Sequence, residues 1–270
     1  MPVDITITFV GNATTLISAG GVTLLTDPNF LHQGQRAYLG HGLVSKRRHN
    51  PALEIDQLPP LDAIVLSHMH GDHWDRVAQR GLDHSLPVIT TPHAAKRLHR
   101  RGFENALALS TWETHTITAP GVRLTLTSMP GRHAPLPVKG LLPPVMGTML
   151  DFESPDGSKR RRLYISGDTL LVEELKDIPL RFESIDAGVL HLGGTRLPAG
   201  PRLPFGLTVT MDGRQGADVV DLLNLPKVIP VHFDDYTVFA SPLADFTNEM
   251  VQRGMADRMI VVERGGSVTI

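Results

Sequence analysis

Five side chains that can ionise or bind a metal, His68, His70, Asp72, His73 and Asp75, crowd the stretch "AIVLSHMHGDHWD" at 63–75, directly after apolar residues. Folding alone gives no reason to place them there. Imidazole and carboxylate are the usual zinc ligands when thiolate is missing, and the chain has no cysteine. On an extended segment His68 and His70 point the same way, so both can face one ion. Asp72 and His73 follow the turn at Gly71 and can reach a second ion. Asp75 is expected to cap a helix instead.

Each ion needs further partners, and other apolar runs end on residues able to supply them. "LTLTSMPGR" leads to His133, "LYISG" to Asp168, "AGVL" to His191 and "VIPV" to His232. Any one of these alone reads as a turn residue. Together they share a pattern, because neighbouring strands bring their ends to one sheet edge. His133 can complete the first set and His232 the second, with Asp168 bridging both ions. Two divalent ions outweigh Asp72, Asp168 and a bridging hydroxide in charge, so the site suits an anionic or carbonyl substrate. Ions roughly 3.5–4 Å apart lower the pKa of a shared water, and no side-chain nucleophile is then required.

The elements that must position these groups are legible as patterns. Val3, Ile5, Ile7 and Phe9 alternate with polar residues as on a half-buried strand. "TTLISAGGVTLLTDP" reads as two strands joined at Gly20-Gly21. "LPVITTPHAAKRLHRRG" reads as a strand, then a helix with Thr91 as cap, Pro92 at its first position and Gly102 as its stop. The segment 114–166 is strand-rich. "DAGVLHL" and "KVIPVHF" are apolar runs separated by the helix "DGRQGADVVDLLN", where Asp212 and Gln215 have capping-box spacing. A helix near 242–253 and a closing hairpin in "RMIVVERGGSVTI" complete the chain. Helices falling between strands in both halves predict two sheets packed face to face with helices outside, as one domain spanning 1–270. The stretches 28–60 and 132–146 read as long irregular loops able to wall a pocket. In them Arg36, Lys46, Arg47, Arg48, Arg132 and Lys139 are candidates to meet an anion, while "GLLPPVMG" suits an acyl chain.

Of the 270 residues, 41% are apolar and 20% charged, as in an ordinary globular protein. A net charge of −2 leaves no electrostatic footprint for nucleic acid or an anionic membrane. The run "SKRRR" at 158–162 reads as a solvated turn. The N-terminus lacks a basic region followed by an apolar core, and no stretch nears the roughly 18 apolar residues of a membrane span. A cytoplasmic protein without an integral membrane segment is the expectation.

The pattern H-x-H-x-D-H at His68, His70, Asp72 and His73 resembles the metallo-β-lactamase fold superfamily. "LLTDP", "SHMHGDH", "PGRHAP", "YISGDT" and "IPVHFDDY" occur in that family's order across nearly the whole chain. The resemblance implies an α/β fold, a four-layer αββα sandwich of two mixed sheets flanked by helices. It is strongest toward the branch of ascorbate-6-phosphate lactonase-like and N-acyl-phosphatidylethanolamine phospholipase D-like proteins. Carried over residue by residue, one metal takes His68, His70 and His133, the other Asp72, His73 and His232, with Asp168 shared. The implied activity is hydrolysis of an ester, lactone or phosphodiester in a small substrate. Two divalent ions are implied, zinc first, with manganese or iron open to the same donors. Asp72, His191 and Asp235 are the catalytic candidates. His191 contacts substrate or hydrogen-bonds behind the ligands, and Asp235 gives a proton to the leaving group. Asp27 is expected to fix a ligand histidine by accepting its free N–H. Asp234, Asp235 and Tyr236 are expected to line the mouth, and His32, His41 and His49 to lie at the surface. A non-catalytic metal-stabilised binding protein and an iron-containing redox variant are the competing readings.

Overall fold

The computed structural model describes residues 3–135, 140, 142–198 and 206–270. The first half runs through β1 (Thr6–Gly11), β2 (Thr14–Ala19), β3 (Val22–Thr26), β4 (Arg36–Gly40), β5 (Leu43–Lys46), β6 (Ala63–Leu66), α1 (Arg76–Gly81), β7 (Val88–Thr90), α2 (Pro92–His99) and β8 (Ala106–Ala108). The second half runs through β9 (Thr114–Ala119), β10 (Val122–Met129), β11 (Gly147–Glu153), β12 (Arg160–Ile165), α3 (Ile178–Arg181) and β13 (Ala187–His191). It continues with β14 (Arg196–Leu197), β15 (Leu207–Thr208), α4 (Gly213–Leu222), β16 (Val228–Val231), α5 (Leu243–Gln252) and β17 (Ser267–Thr269).

Seven strands form one sheet in the order β17-β1-β2-β3-β6-β7-β8, and six form the other in the order β16-β13-β12-β11-β10-β9. Each sheet begins as an antiparallel meander and ends in parallel strands, reached by helical crossovers. β6 shows how one strand serves two layers. Ala63 and Val65 pack into the core between the sheets, whereas Ile64 and Leu66 pack outward among Ala94 and Leu98 of α2. Burial on both faces is why "AIVL" is continuously apolar rather than alternating. Between the sheets Ile7, Ile17 and Leu24 share a cluster with Leu124, Leu150 and Ile165. On the far side Tyr164 and Leu190 pack with Val220 of α4 and Phe246 of α5. The result is the αββα sandwich expected from the sequence. Among the described residues no helix is long and apolar enough to cross a membrane.

Several local expectations hold. Gly20 and Gly21 have φ of 56° and 90°, the two positive values that a tight type I′ hairpin needs. Thr91 caps α2 by accepting from the Ala94 amide at 3.2 Å, a contact typically worth about 1 kcal/mol. Three expectations are corrected. The terminal segment forms no hairpin with itself: Met259 bridges β16 while β17 pairs with β1. It thereby covers one open edge of each sheet, which satisfies two unpaired ladders rather than none. Only half of the capping box forms, because Asp212 accepts from the Gln215 amide whereas the Gln215 side chain accepts from Leu171 N. Finally, the stretch 28–60 is not irregular throughout but contains the β4–β5 hairpin.

Candidate metal centre

β12, β13 and β16 run the same way, and β10, antiparallel to β11, which is antiparallel to β12, shares that direction; the end of β6, in the other sheet, meets theirs. The C-terminal ends of these strands deliver His68, Asp168, His191, His232 and His133 to one edge of the sandwich, the usual place for ligands in such sheets. Buried donor atoms gather there in two sets, His68 with His70 and His133, and Asp72 with His73, Asp168 and His232, and a third grouping of Asp27 with His73 and His191 shares His73 with the second. In the first set His70 Nδ1 lies 3.0 Å from His68 Nε2 and 3.1 Å from His133 Nε2. In the second, Asp72 Oδ2 lies 3.3 Å from His232 Nε2 and 3.8 Å from His73 Nε2, which is 3.3 Å from Asp168 Oδ2. Tetrahedral zinc with Zn–N bonds of 2.0–2.1 Å needs donors about 3.3 Å apart. The spacing fits.

Hydrogen bonding points the same way. His133 Nδ1 donates to Val209 O at 2.6 Å, His232 Nδ1 to Leu192 O at 3.2 Å and His73 Nδ1 to Asp27 Oδ2 at 3.1 Å. A ring that donates through one nitrogen presents a lone pair on the other, so these partners fix the tautomer that a cation requires. His73 Nε2, Asp72 Oδ1 and Asp168 Oδ1 are buried with no hydrogen-bond partner. Such atoms are costly unless something not made of protein occupies the space between them. Asn12, Asp27 and His232 have φ of 56°, 37° and 62°. That left-handed backbone is uncommon outside glycine, and its clustering here marks a site where geometry outranks local comfort.

The two sets differ in charge. Burial, then the cationic forms of neighbouring rings, hold His68 well below the usual histidine range, and burial with His133 pulls His70 down to about 3. His133 is lowered too, chiefly by burial. These rings are therefore neutral near pH 7. Burial also opposes a charge on His73, but Asp168, Asp27 and Asp72 around it prevail and raise it well above its ordinary value. The carboxylates demand a cation, and a proton on His73 answers that demand in the absence of a metal. Asp168 itself is held far below the carboxylate range: burial opposes this, and His232 and His73 overcome it.

Two of the catalytic candidates, His191 and Asp235, are fully buried. His191 is fully buried, with Nε2 3.3 Å from Asp27 Oδ2 and Nδ1 3.3 Å from Ser166 Oγ. Of the two roles open to it, hydrogen bonding behind the ligands is the one its surroundings supply. Asp235 does not line the mouth either. It is fully buried, 3.1 Å from Arg47 Nη2 and 3.0 Å from Arg264 Nη2, and accepts from the Asn12 amide at 2.6 Å. Buried between two guanidinium groups, it is not placed to reach a leaving group. Tyr236 is buried as well, donating to Asn29. Asp75 caps α1 as expected, accepting from the Val77 and Ala78 amides at 2.7 Å.

Among the expected anion contacts, Arg47 is buried: it faces Asp235 and Asn29 and donates to His49 O. Arg132 pairs with Glu174, and Lys139 lies outside the described residues. Residues unnoticed in the sequence turn out to brace the ligand loop. Asn12 Nδ2 donates to Asp72 O at 2.7 Å and Asn29 Nδ2 to Gly71 O at 3.1 Å. Ser67 N donates to Asp27 Oδ1 at 2.7 Å, and Thr210 Oγ1 to Asp168 Oδ2 at 3.0 Å. "FVGNA" and "DPNF" carry no signal for this beyond an Asn beside a strand end.

The Beta-lactamase superfamily domain matches residues 23–233, and the chain belongs to that family. A metal-dependent hydrolase of Deinococcus radiodurans is 26% identical over 254 residues, covering 93% of this chain and 94% of its own length. Among solved structures, the "possible metal-dependent hydrolase" of Veillonella parvula superposes with a TM-score of 0.81 at 23% identity, covering 98% of this chain and 99% of its own. The isothiocyanate hydrolase from Delia radicum gut bacteria gives 0.76 at 20% identity, covering 97% and 98%. At those identities the two structures speak for the fold.

Proposed function

We propose that the protein is a metal-dependent hydrolase that cleaves an ester, lactone or phosphodiester bond of a small substrate. His68, His70 and His133 would hold one divalent cation and Asp72, His73 and His232 the other, with Asp168 a donor beside the second set. Zinc is favoured by the nitrogen and oxygen donors, which manganese and iron also accept. Cations held there lower the pKa of a bound water toward neutrality and polarise a carbonyl or phosphoryl oxygen. The protein's own part is to aim the donors. Val209 O, Leu192 O and Asp27 anchor the far nitrogens of three rings, and Thr210 orients Asp168. Asp72 Oδ1, buried and without a protein partner, can hold the proton released as water attacks. The lactone and phosphodiester options rest on the resemblance to the lactonase and phospholipase D branch.

The observation that carries this reading is the convergence of two buried donor sets at the ends of strands from both sheets. Metal analysis alongside turnover of generic ester and phosphodiester substrates tests it. Bound divalent metal is expected, with activity lost on chelation and restored by zinc or manganese. Full turnover by metal-free protein would contradict it.

A further inference from the structure

A cavity of about 830 Å³ has the ligand His70 and its neighbours Met69 and Gly71 in its wall, a volume suited to a small molecule. Its ionisable lining is lopsided. Arg36, Arg76, Arg97 and Arg101 all line it, and among the described residues Asp75 is the only carboxylate that does. Asp75 is already spent, since its two oxygens accept the amides of Phe30, Leu31, Val77 and Ala78. None of the four arginines has a carboxylate partner among the described residues. Arg76 donates to Arg36 O at 3.3 Å and Arg101 to Gln79 Oε1 at 2.7 Å. The chain as a whole carries a net charge of −2, so this concentration of positive charge is not a background property.

Two further features of the wall suit an anionic guest. Burial, then the charge of Arg97, lowers Arg101 below its usual range, and the same two causes in the same order lower His93 in the same wall. Like charges held together without a counter-ion behave this way. Trp74, also in the wall, is buried with an indole Nε1 that finds no acceptor in the protein. Leu31, Leu142 and Pro144 also line the cavity. A ligand that answers both kinds of lining has an anionic end and an apolar or neutral body.

We propose that the substrate bears a phosphate or carboxylate away from the bond that breaks, and that Arg36, Arg76, Arg97 and Arg101 hold that group beside His70. Guanidinium forks match either anion through paired N–H donors. The proposal rests on the hydrolase reading for calling the ligand a substrate, but not for the anion site itself.

A matched pair of nitrophenyl esters tests it, the neutral butyrate against the glutarate hemiester with its terminal carboxylate. With metal-loaded wild-type protein, kcat/KM for the hemiester is expected to exceed that for the butyrate by about tenfold. In an Arg97→Gln/Arg101→Gln variant that ratio falls toward one through a higher KM for the hemiester, and an Arg97→Lys/Arg101→Lys variant regains part of it. Equal handling of the two esters by wild type overturns the proposal while leaving the hydrolase reading intact. So does a Gln variant that keeps the full preference. Calorimetric titration of the metal-loaded chain with glutarate and with glycerol 3-phosphate gives a readout independent of turnover. Binding that weakens about tenfold in the Gln variant, yet persists in His68→Ala, supports the anion site even where no ester is cleaved. The tighter of the two ligands then names the anion. Binding that is unaffected by the Gln pair overturns the site.

Discussion

His68, His70 and His133 meet as three neutral rings, whereas Asp72, Asp168, His73 and His232 meet as two carboxylates and two rings, with Asp27 directly behind. Both sets are buried and both grow from the ends of strands, so the contrast lies in charge alone. The first set needs no counter-charge without a cation, because burial already holds its rings uncharged. The second cannot be left empty without penalty, and a raised His73 supplies the missing positive charge. The lesson concerns the loop between them. Gly71 separates His70 of one set from Asp72 of the other, and the braces from Asn12 and Asn29 end on Asp72 O and Gly71 O. One short segment therefore registers two electrostatically unlike sites against each other.

The largest effect on stability is expected from Asp235→Ala. It leaves Arg47 buried without its partner and frees the Asn12 amide, and breaking a buried pair costs about 3–5 kcal/mol. Urea unfolding should show the loss, with both donor sets disturbed together because Asn12 braces the shared loop. A proton donor would behave otherwise, losing turnover with stability unchanged.

Removing charge from one set separates the two. Asp168→Ala should cut turnover by more than about a hundredfold, beyond the 10–100-fold typical of residues behind the ligands. It should also lower the metal content by more than His133→Ala does, as elemental analysis of the purified variants can check. Equal losses of metal would show that the charge contrast does not govern occupancy.

Gly71→Ala asks whether the loop is clamped. A Cβ there meets Tyr38 O at 2.6 Å and Tyr38 N at 2.7 Å. Both are backbone atoms of β4, so the hairpin must shift, at a cost of about 1–3 kcal/mol. A thermal melt of this variant indistinguishable from wild type would mean that the β4–β5 hairpin does not hold the loop.

The smallest effect is expected in the pH dependence of chelated protein. His70, lowered from its ordinary 6.5 to about 3, binds more protons when unfolded. Its contribution to stability is therefore present above pH 6.5 and is lost as pH falls toward 3. His73 has the opposite sign: its contribution is full below 6.5 and disappears as pH rises through its elevated value. Melting curves of chelated His70→Gln should accordingly diverge from wild type as pH changes between about 3 and 6.5, and those of His73→Gln as pH rises above 6.5, with opposite sign.

The candidate ligands were legible because they follow short apolar runs, a pattern that survives without knowledge of which strands are neighbours. The order of layers was legible too, since β6 reads as buried on both faces and β1 on one. The braces were not legible. Arg47 and Asp235 are both ordinary loop residues in sequence, and only the path of the chain brings them together in a dry interior. The β4–β5 hairpin was hidden because Tyr38 and Val44 are large apolar residues left exposed, which blurs the alternation that buried Ala37 and Leu39 would otherwise show. The last strand escaped because edge pairing with β1 depends on which edge is left open, a property of the whole sheet.

Anomalous scattering from crystals grown with zinc tests the central claim most directly. Two peaks are expected, one among His68, His70 and His133 and the other among Asp72, His73 and His232 against Asp168. No peak in either set, or a single peak between Asp27, His73 and His191, would contradict it.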